Sequence, residues 1–160
     1  MTSSASVPPV WKSVDVPCPV ADAFALFTEK PTEWWPSDHR ITDDREAVVF
    51  EPFVGGRWFE RGRGGDERDW GRVLEWEEGR RIKMSWLVDG AFSAIDDDAL
   101  ASRVVITFVP LGADSTLVTI GHVDLHRHGD AAQKIRAAVD GPSPGDTLAG
   151  FARAARALAR

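Results

Sequence analysis

Three histidines and an aspartate recur at every second position late in the sequence: His122, Asp124, His126 and His128. Alternate residues of a strand project from one face, so neighbouring members of this row would lie about 7 Å apart, close enough to share a metal ion. His122 and His126 would be about 13 Å apart, too far for one ion. No cysteine or glutamate completes a ligand set. We therefore predict a solvated strand end without a metal, and we keep His122 as a polar candidate for the inside of a cavity.

Two arginines are the other polar candidates for a cavity, Arg57 and Arg72. A guanidinium beside an apolar cavity binds a ligand carboxylate through two parallel hydrogen bonds. Arg57 alternates with Trp58, so only one of the two can face inward. The alternative for each arginine is a surface ion pair, with Glu60 or Glu75 as the partner.

Several classes of chemistry lack a sequence signal. There is no G-x-S-x-G nucleophile motif, no P-loop and no dinucleotide fingerprint, so we expect no cofactor. The single cysteine, Cys18, lies between two prolines and has no neighbouring base. The net charge of -6 argues against nucleic acid as a partner, and no apolar run reaches the length of a membrane span. A proton transfer by His122, with Glu75 across the strands, remains open.

The elements that must position these residues are mostly strands. Residues 81–86 read RIKMSW, in which polar and apolar side chains alternate. We predict a strand in which Ile82, Met84 and Trp86 face inward and the polar residues, including Ser85, face outward. The same rule predicts one shared face for the alternate residues of the preceding run, which are Trp70, Arg72, Leu74 and Trp76.

Turn signals divide the chain into a strand, two short helices, six further strands and a helical end. The predicted strands are residues 10–16, 46–50, 57–61, 68–77, 80–87, 102–109 and 115–123, and the predicted helices are residues 20–27, 28–35, 130–139 and 144–160. The final helix starts at a capping sequence, residues 143–146. It carries an apolar stripe of Leu148, Phe151, Ala155 and Leu158. An acidic linker covers residues 89–100.

This order of elements, and the segments VPCPVADAFALFTEKPTEWWP, VVFEPFVGGRWFERG, WGRVLEWEEGRRIKMSW and GDTLAGFARAA, resemble the SRPBCC (START-like) superfamily. Within it the chain is similar to bacterial proteins related to the C-terminal domain of the activator of Hsp90 ATPase. The resemblance implies an α+β helix-grip fold, in which a curled antiparallel sheet of six or seven strands wraps a long C-terminal helix. It also implies a cavity between the two. Family members include lipid and hormone carriers, polyketide cyclases and co-chaperone domains.

We therefore predict one domain over residues 10–160, after a disordered tail of residues 1–9, that binds a small, largely hydrophobic molecule. The predicted ligand-binding residues are Trp34, Trp35, Phe53, Trp58, Trp70, Met84, Trp86, Phe108, Leu148 and Phe151. Core packing is the alternative for each tryptophan. Two other functions stay open, a cyclase or hydrolase that uses the same cavity and a co-chaperone-like interaction module. We expect a cytoplasmic monomer or homodimer, because a single cysteine suits a reducing compartment.

Overall fold

A computed structural model describes residues 7–35, 45–87, 101–140 and 147–158 of the chain. Its elements, in chain order, are β1 (Val10–Val16), α1 (Val20–Glu29), α2 (Pro31–Trp34), β2 (Arg45–Phe50), β3 (Arg57–Gly62), β4 (Glu67–Glu77), β5 (Arg81–Trp86), β6 (Ser102–Gly112), β7 (Ser115–Val123), a 3₁₀ segment (Leu125–Ala131), α3 (Ala132–Asp140) and α4 (Thr147–Leu158). The predicted capping sequence, the acidic linker and most of the predicted tail lie outside the described residues.

The strands form one seven-stranded antiparallel sheet in the order β1-β7-β6-β5-β4-β3-β2. Hairpins connect neighbouring strands because short glycine-containing turns separate them, as at Gly55, Gly65 and Gly79, whose φ angles are 90°, 92° and 77°. The helices α1, α2 and α4 pack together, and α4 also contacts β1. The fold is thus the α+β, helix-grip type that the sequence predicts. No helix among the described residues is long and apolar enough to cross a membrane.

The register of the sheet fixes which side chains share its inner face. One row across the strands runs from Met84 through Val104 and His122 to Val10. The next row joins Ile82, Ile106, Ile120 and Lys12 in the same way. His122 and Lys12 therefore lie on the apolar face of the sheet, as a direct result of strand pairing.

Strand β5 confirms the predicted inward face, because Ile82, Met84 and Trp86 are all at most 2% exposed. Ser85 lies on the same face of β5 as Lys83, as predicted, because the register with β6 is unbroken, but it is completely buried there. Its hydroxyl accepts a hydrogen bond from the backbone N–H of Arg72 at 2.9 Å. The backbones approach closely here, and a Cβ placed on Gly71 would lie 1.8 Å from the Ser85 carbonyl oxygen. Strand β4 therefore covers Ser85.

Strand β4 does not keep the single face that its alternation predicts. Its pairing with β3 skips Trp70, and its pairing with β5 skips Leu74, so the strand holds two bulges. Each extra residue exchanges the two faces of the strand beyond it. Trp70 and Val73 are consequently buried while Arg72 is exposed. The prediction of one face for Trp70, Arg72, Leu74 and Trp76 is wrong because bulges interrupt the period of two.

Helix α4 packs by most of its predicted stripe. Leu148, Phe151 and Ala155 are buried, whereas Leu158 is 52% exposed at the end of the helix. At Gly150 the helix lies directly against α2, because a Cβ there would be 2.7 Å from the Trp34 carbonyl oxygen. The small residue allows this contact between the two helices.

Candidate ligand-binding site

A cavity lies between the inner face of the sheet and the helices. Its volume is about 50 Å³, counted as the space open to the centre of a water molecule. Its wall consists of Lys12, Phe27, Trp35, Phe50, Trp58, Trp70, Met84, Trp86, Val104, Ile106, Ile120, His122, Val139, Thr147 and Leu148. One water requires about 10–15 Å³ in this measure. In this conformation the cavity therefore holds a few waters or a small organic group, and a larger guest must displace part of the wall.

Three tryptophans form the part of the wall contributed by α2, β3 and β4. Trp58 stacks on Trp70 with ring centroids 5.9 Å apart and an angle of 19°. Trp35 meets Trp58 edge to face at 5.8 Å and 70°. Phe50 stacks on the Trp58 ring at 5.9 Å. These rings hold one another in place and present flat apolar surfaces to the cavity.

The adjacent indoles Trp34 and Trp35 have different environments, as neighbours on a short helix must. Trp34 is 5% exposed, packs on Phe27 and Phe151, and donates its indole N–H to the Leu26 carbonyl oxygen at 3.1 Å. Trp35 lines the cavity, and its indole nitrogen is buried without a hydrogen-bond partner. Only Trp35 of this pair reaches the cavity wall.

Sequence reasoning missed a buried carboxylate, Glu60, which it placed on the surface as an ion-pair partner of Arg57. Glu60 is 0% exposed and accepts a hydrogen bond from the indole N–H of Trp70 at 2.8 Å. Trp58 and Glu60 are two residues apart in β3, so the inward direction predicted for Trp58 implies the same direction for Glu60. Glu60 thereby fixes the orientation of a ring that lines the cavity.

His122 is the titratable side chain at the centre of the inner face. Part of its surface remains accessible although protein surrounds the ring, as suits a side chain that lines a cavity. Burial, with smaller contributions from Lys12 and His128, lowers the pKa of His122 from 6.5 to about 4. The imidazole is therefore neutral at pH 7. Its Nδ1 atom is buried and has no hydrogen-bond partner.

Trp86 separates His122 from a second histidine. Its ring contacts His122 at 5.3 Å and His128 at 5.9 Å. His128 Nε2 lies 2.7 Å from the Ser102 hydroxyl, and burial lowers the pKa of His128. Because the Ser102 backbone N–H also donates to Nε2, this nitrogen is the acceptor in the neutral ring. The pair anchors the 3₁₀ segment to β6.

Comparisons with known proteins identify the family. The family model of activator of Hsp90 ATPase homolog 1-like proteins matches residues 17–153. The chain belongs to this family. A comparison with curated proteins gave no match.

Solved structures similar to this family member include an anthrahydroquino-γ-pyrone synthase, Txn09, at 47% identity, over 92% of this chain and 96% of that one, with a TM-score of 0.65. The self-sacrificing resistance protein CalC of Micromonospora echinospora is 31% identical, over 92% of this chain and 94% of that one, with a TM-score of 0.65. The Aha1 dimer of Colwellia psychrerythraea shares the fold at 13% identity, over 94% of this chain and 97% of that one, with a TM-score of 0.58.

The structure of this family member separates the predicted ligand-binding residues into two groups and one outlier. Six line the cavity: Trp35, Trp58, Trp70, Met84, Trp86 and Leu148. Trp34, Phe108 and Phe151 are buried beside it and do not line it. Phe53 lies in the turn between β2 and β3. It is 56% exposed and does not line the cavity. Lys12 and Thr147 line the cavity although the sequence analysis did not select them.

The two candidate arginines lie outside the cavity. Arg57 pairs with Glu67 at 2.9 Å and with Asp69 at 2.8 Å, and its guanidinium covers the Phe59 ring at 4.0 Å. Arg72 pairs with Asp69 at 3.3 Å. Surface ion pairing is therefore the role that the structure shows for both, with Glu67 and Asp69 as partners in place of Glu60 and Glu75.

The histidine row does not continue as a strand. β7 ends at Val123, and Asp124 adopts a left-handed backbone conformation with φ of 56°. His122 and His128 then lie on either side of Trp86, and His126 is exposed. Within the described parts of the chain, no group of three or more His, Cys, Asp or Glu residues is arranged to hold a metal ion.

Proposed function

We propose that this protein binds a small, flat aromatic molecule in the cavity between the sheet and α4. The observation that carries the proposal is the wall itself, in which stacked aromatic rings and a neutral imidazole whose Nδ1 has no partner line the same cavity. Such a wall favours ring-shaped apolar molecules with a few polar atoms. Similarity to a synthase of an anthrahydroquino-γ-pyrone supports the same class of ligand, because that product is a polycyclic aromatic with oxygen substituents.

We further propose cyclase activity as a second function of this cavity, with His122 as the group that moves the proton. In closing a γ-pyrone, a phenol oxygen attacks a side-chain carbonyl carbon and forms the new C–O bond. Neutral His122 accepts the phenol proton and then returns it to the former carbonyl oxygen, which becomes a hydroxyl, so that the imidazole is neutral again. That hydroxyl then leaves together with a proton from the carbon between the two carbonyl groups. The two form water, and a C=C bond forms in the ring. The reaction is a dehydration and requires no oxidant. Only a neutral imidazole can accept the phenol proton, and the lowered pKa keeps His122 neutral.

We expect the protein to act in a reducing, cytoplasmic compartment as a monomer or homodimer. The one cysteine, Cys18, is buried and free, which suits such a compartment. Sedimentation equilibrium measures the oligomeric state, and a larger or mixed assembly would contradict this part of the proposal.

Binding and catalysis are tested with one substrate and one product. The substrate is 1-(2-hydroxyphenyl)butane-1,3-dione, which closes to 2-methylchromone with loss of water. We expect 2-methylchromone to raise the melting temperature of the wild type and of His122→Gln alike, because a bound ligand stabilises the folded state. The rate of ring closure above the uncatalysed rate should fall by about 10²–10⁴ in His122→Gln.

The outcomes separate the two proposals. Product binding without any acceleration of ring closure by the wild type would refute the cyclase and leave the binding proposal intact. If neither 2-methylchromone nor other fused aromatic compounds shift the melting temperature, the cavity is not a ligand site. A co-chaperone-like interaction module would then become the better explanation.

A further inference from the structure

Unpartnered polar atoms are concentrated in one place in this protein. Among the described residues, three buried side-chain nitrogen or oxygen atoms lack a hydrogen-bond partner: Trp35 Nε1, Trp58 Nε1 and His122 Nδ1. All three belong to side chains that line the cavity. Buried polar atoms in native proteins are nearly always paired, so three exceptions in one wall require an explanation.

Two other buried indoles of the chain have hydrogen-bond acceptors for their N–H groups. Trp34 donates to the Leu26 carbonyl oxygen at 3.1 Å, and Trp70 donates to Glu60 at 2.8 Å. Trp70 is the closest comparison, because it stacks on Trp58 and lines the same cavity. The sequence therefore supplies an acceptor for one indole of the wall and none for its two neighbours. Poor packing does not account for this difference, since Trp58 is only 3% exposed.

The chemistry of an indole limits what can complete these sites. An indole N–H donates one hydrogen bond and accepts none, so its partner must carry a lone pair. The Trp35 and Trp58 rings contact each other at 5.8 Å and 70°, so the two side chains that carry these donors are neighbours in the wall. Lys12 adds positive charge to the same cavity, and its ammonium group donates to the Asp140 carbonyl oxygen at 3.0 Å. The cavity therefore favours oxygen atoms that are rich in electron density.

We infer that the indole N–H groups of Trp35 and Trp58 form the oxygen-binding part of the cavity and receive the carbonyl oxygens of an aromatic ketone or quinone. This inference rests on the proposed ligand-binding function and adds a chemical class to it. The two indoles distinguish oxygenated aromatic compounds from hydrocarbons of the same shape. They also stabilise negative charge on such an oxygen when a neighbouring bond forms.

Two bicyclic probes of matched shape test the inference, chromone, which carries a ring ketone, and naphthalene, which does not. Titration calorimetry measures both affinities for the wild type and for Trp35→Phe, Trp58→Phe and the control Trp34→Phe. We expect the wild type to prefer chromone, and we expect the ratio of the two affinities to fall about three- to tenfold for each N–H lost at Trp35 or Trp58. Trp34→Phe should keep the wild-type ratio, because Trp34 does not line the cavity and its N–H already donates to the Leu26 carbonyl oxygen.

A second measurement covers any variant that does not fold. In wild-type protein with ¹⁵N-labelled tryptophan, chromone should shift two indole N–H signals downfield, and naphthalene should not. If chromone and naphthalene both bind the wild type and neither the affinity ratio nor the indole signals respond as described, the oxygen-binding role is refuted while the binding function stands. If the wild type binds neither probe, the proposed function fails and the inference fails with it.

Discussion

Replacement of Phe151 by alanine tests whether α4 is packed solidly beside the cavity. Phe151 is 0% exposed, does not line the cavity, and contacts the rings of Phe27 at 5.4 Å and Trp34 at 5.1 Å. Phe→Ala in a packed core costs about 3–5 kcal/mol. Each aromatic contact contributes about 0.5–1.5 kcal/mol beyond burial, which places Phe151→Ala in the upper half of that range. For a chain of this size the melting temperature should fall by about 8–20 °C.

Leu148→Ala is the matched variant on the same helix. Leu148 is 6% exposed and lines the cavity, so its side chain lacks packing neighbours on one side. Its loss should cost about 2–3 kcal/mol, at the low end of the range for large-to-small core substitutions. Leu158→Ala, at a position that is 52% exposed, should change stability by less than about 0.5 kcal/mol.

Urea unfolding followed by circular dichroism measures all three changes, with the slope of free energy against urea as the control for two-state behaviour. The reasoning is refuted if Leu148→Ala costs as much as Phe151→Ala, because the cavity would then have no effect on packing. A loss of less than about 2 kcal/mol for Phe151→Ala would show that this ring, too, borders empty space.

Three further predictions concern the interior of the sheet. Folding holds the pKa of His122 at about 4, so the unfolded chain binds an extra proton below pH 6.5. The wild type should therefore lose about 1–2 kcal/mol of stability between pH 7 and pH 5 that His122→Gln does not lose. If urea unfolding gives the same change in unfolding free energy between the two pH values for both proteins, this prediction is contradicted. Gly71→Ala should prevent folding or lower the melting temperature severely, because the new Cβ would lie 1.8 Å from the Ser85 backbone oxygen. Gly121→Ala should lower the melting temperature less, because its Cβ meets only the ring of Trp11, at 2.2 Å, and this exposed ring can move. Thermal melts compare the two, and a similar loss in both would be unexpected. Extended dialysis against a chelator should leave the melting temperature unchanged, because we expect no folding energy to depend on an ion, and retained stoichiometric zinc would overturn that expectation.

The fold is largely readable from the sequence because its elements have clear local signals. β1 and β7 begin and end at the predicted residues. Prolines flank β1 on both sides, and β7 follows a glycine-containing turn and ends where Asp124 adopts a left-handed conformation. The faces of β4 are not readable in the same way. Its bulges at Trp70 and Leu74 depend on how three strands pair, and no local pattern records that. Ser85 is buried for the same reason, because the backbone of β4 covers it.

The candidate site is readable only where alternation and residue type agree. Met84 and Trp86 line the cavity because they are apolar members of an alternating strand. Glu60 and Lys12 occupy inward positions of β3 and β1. Sequence reasoning places both on the surface, because it gives their charge more weight than the alternation along the strand. Phe53 fails in the opposite way, because an aromatic residue in a turn carries no information about direction.

The contact between Gly150 and the Trp34 carbonyl oxygen has a consequence for how fast a ligand exchanges. With no side chain between them, α4 packs directly on α2, and the wall residues Leu148 and Trp35 lie on α4 and just after the end of α2. Under the ligand-binding proposal, we expect a guest too large for the present cavity to enter when the two helices move together away from the sheet. Collective motions of this kind take microseconds to milliseconds, far longer than the rotation of a side chain. We therefore expect the residence time of such a ligand to depend on the joint between two helices, at Gly150, which does not line the cavity.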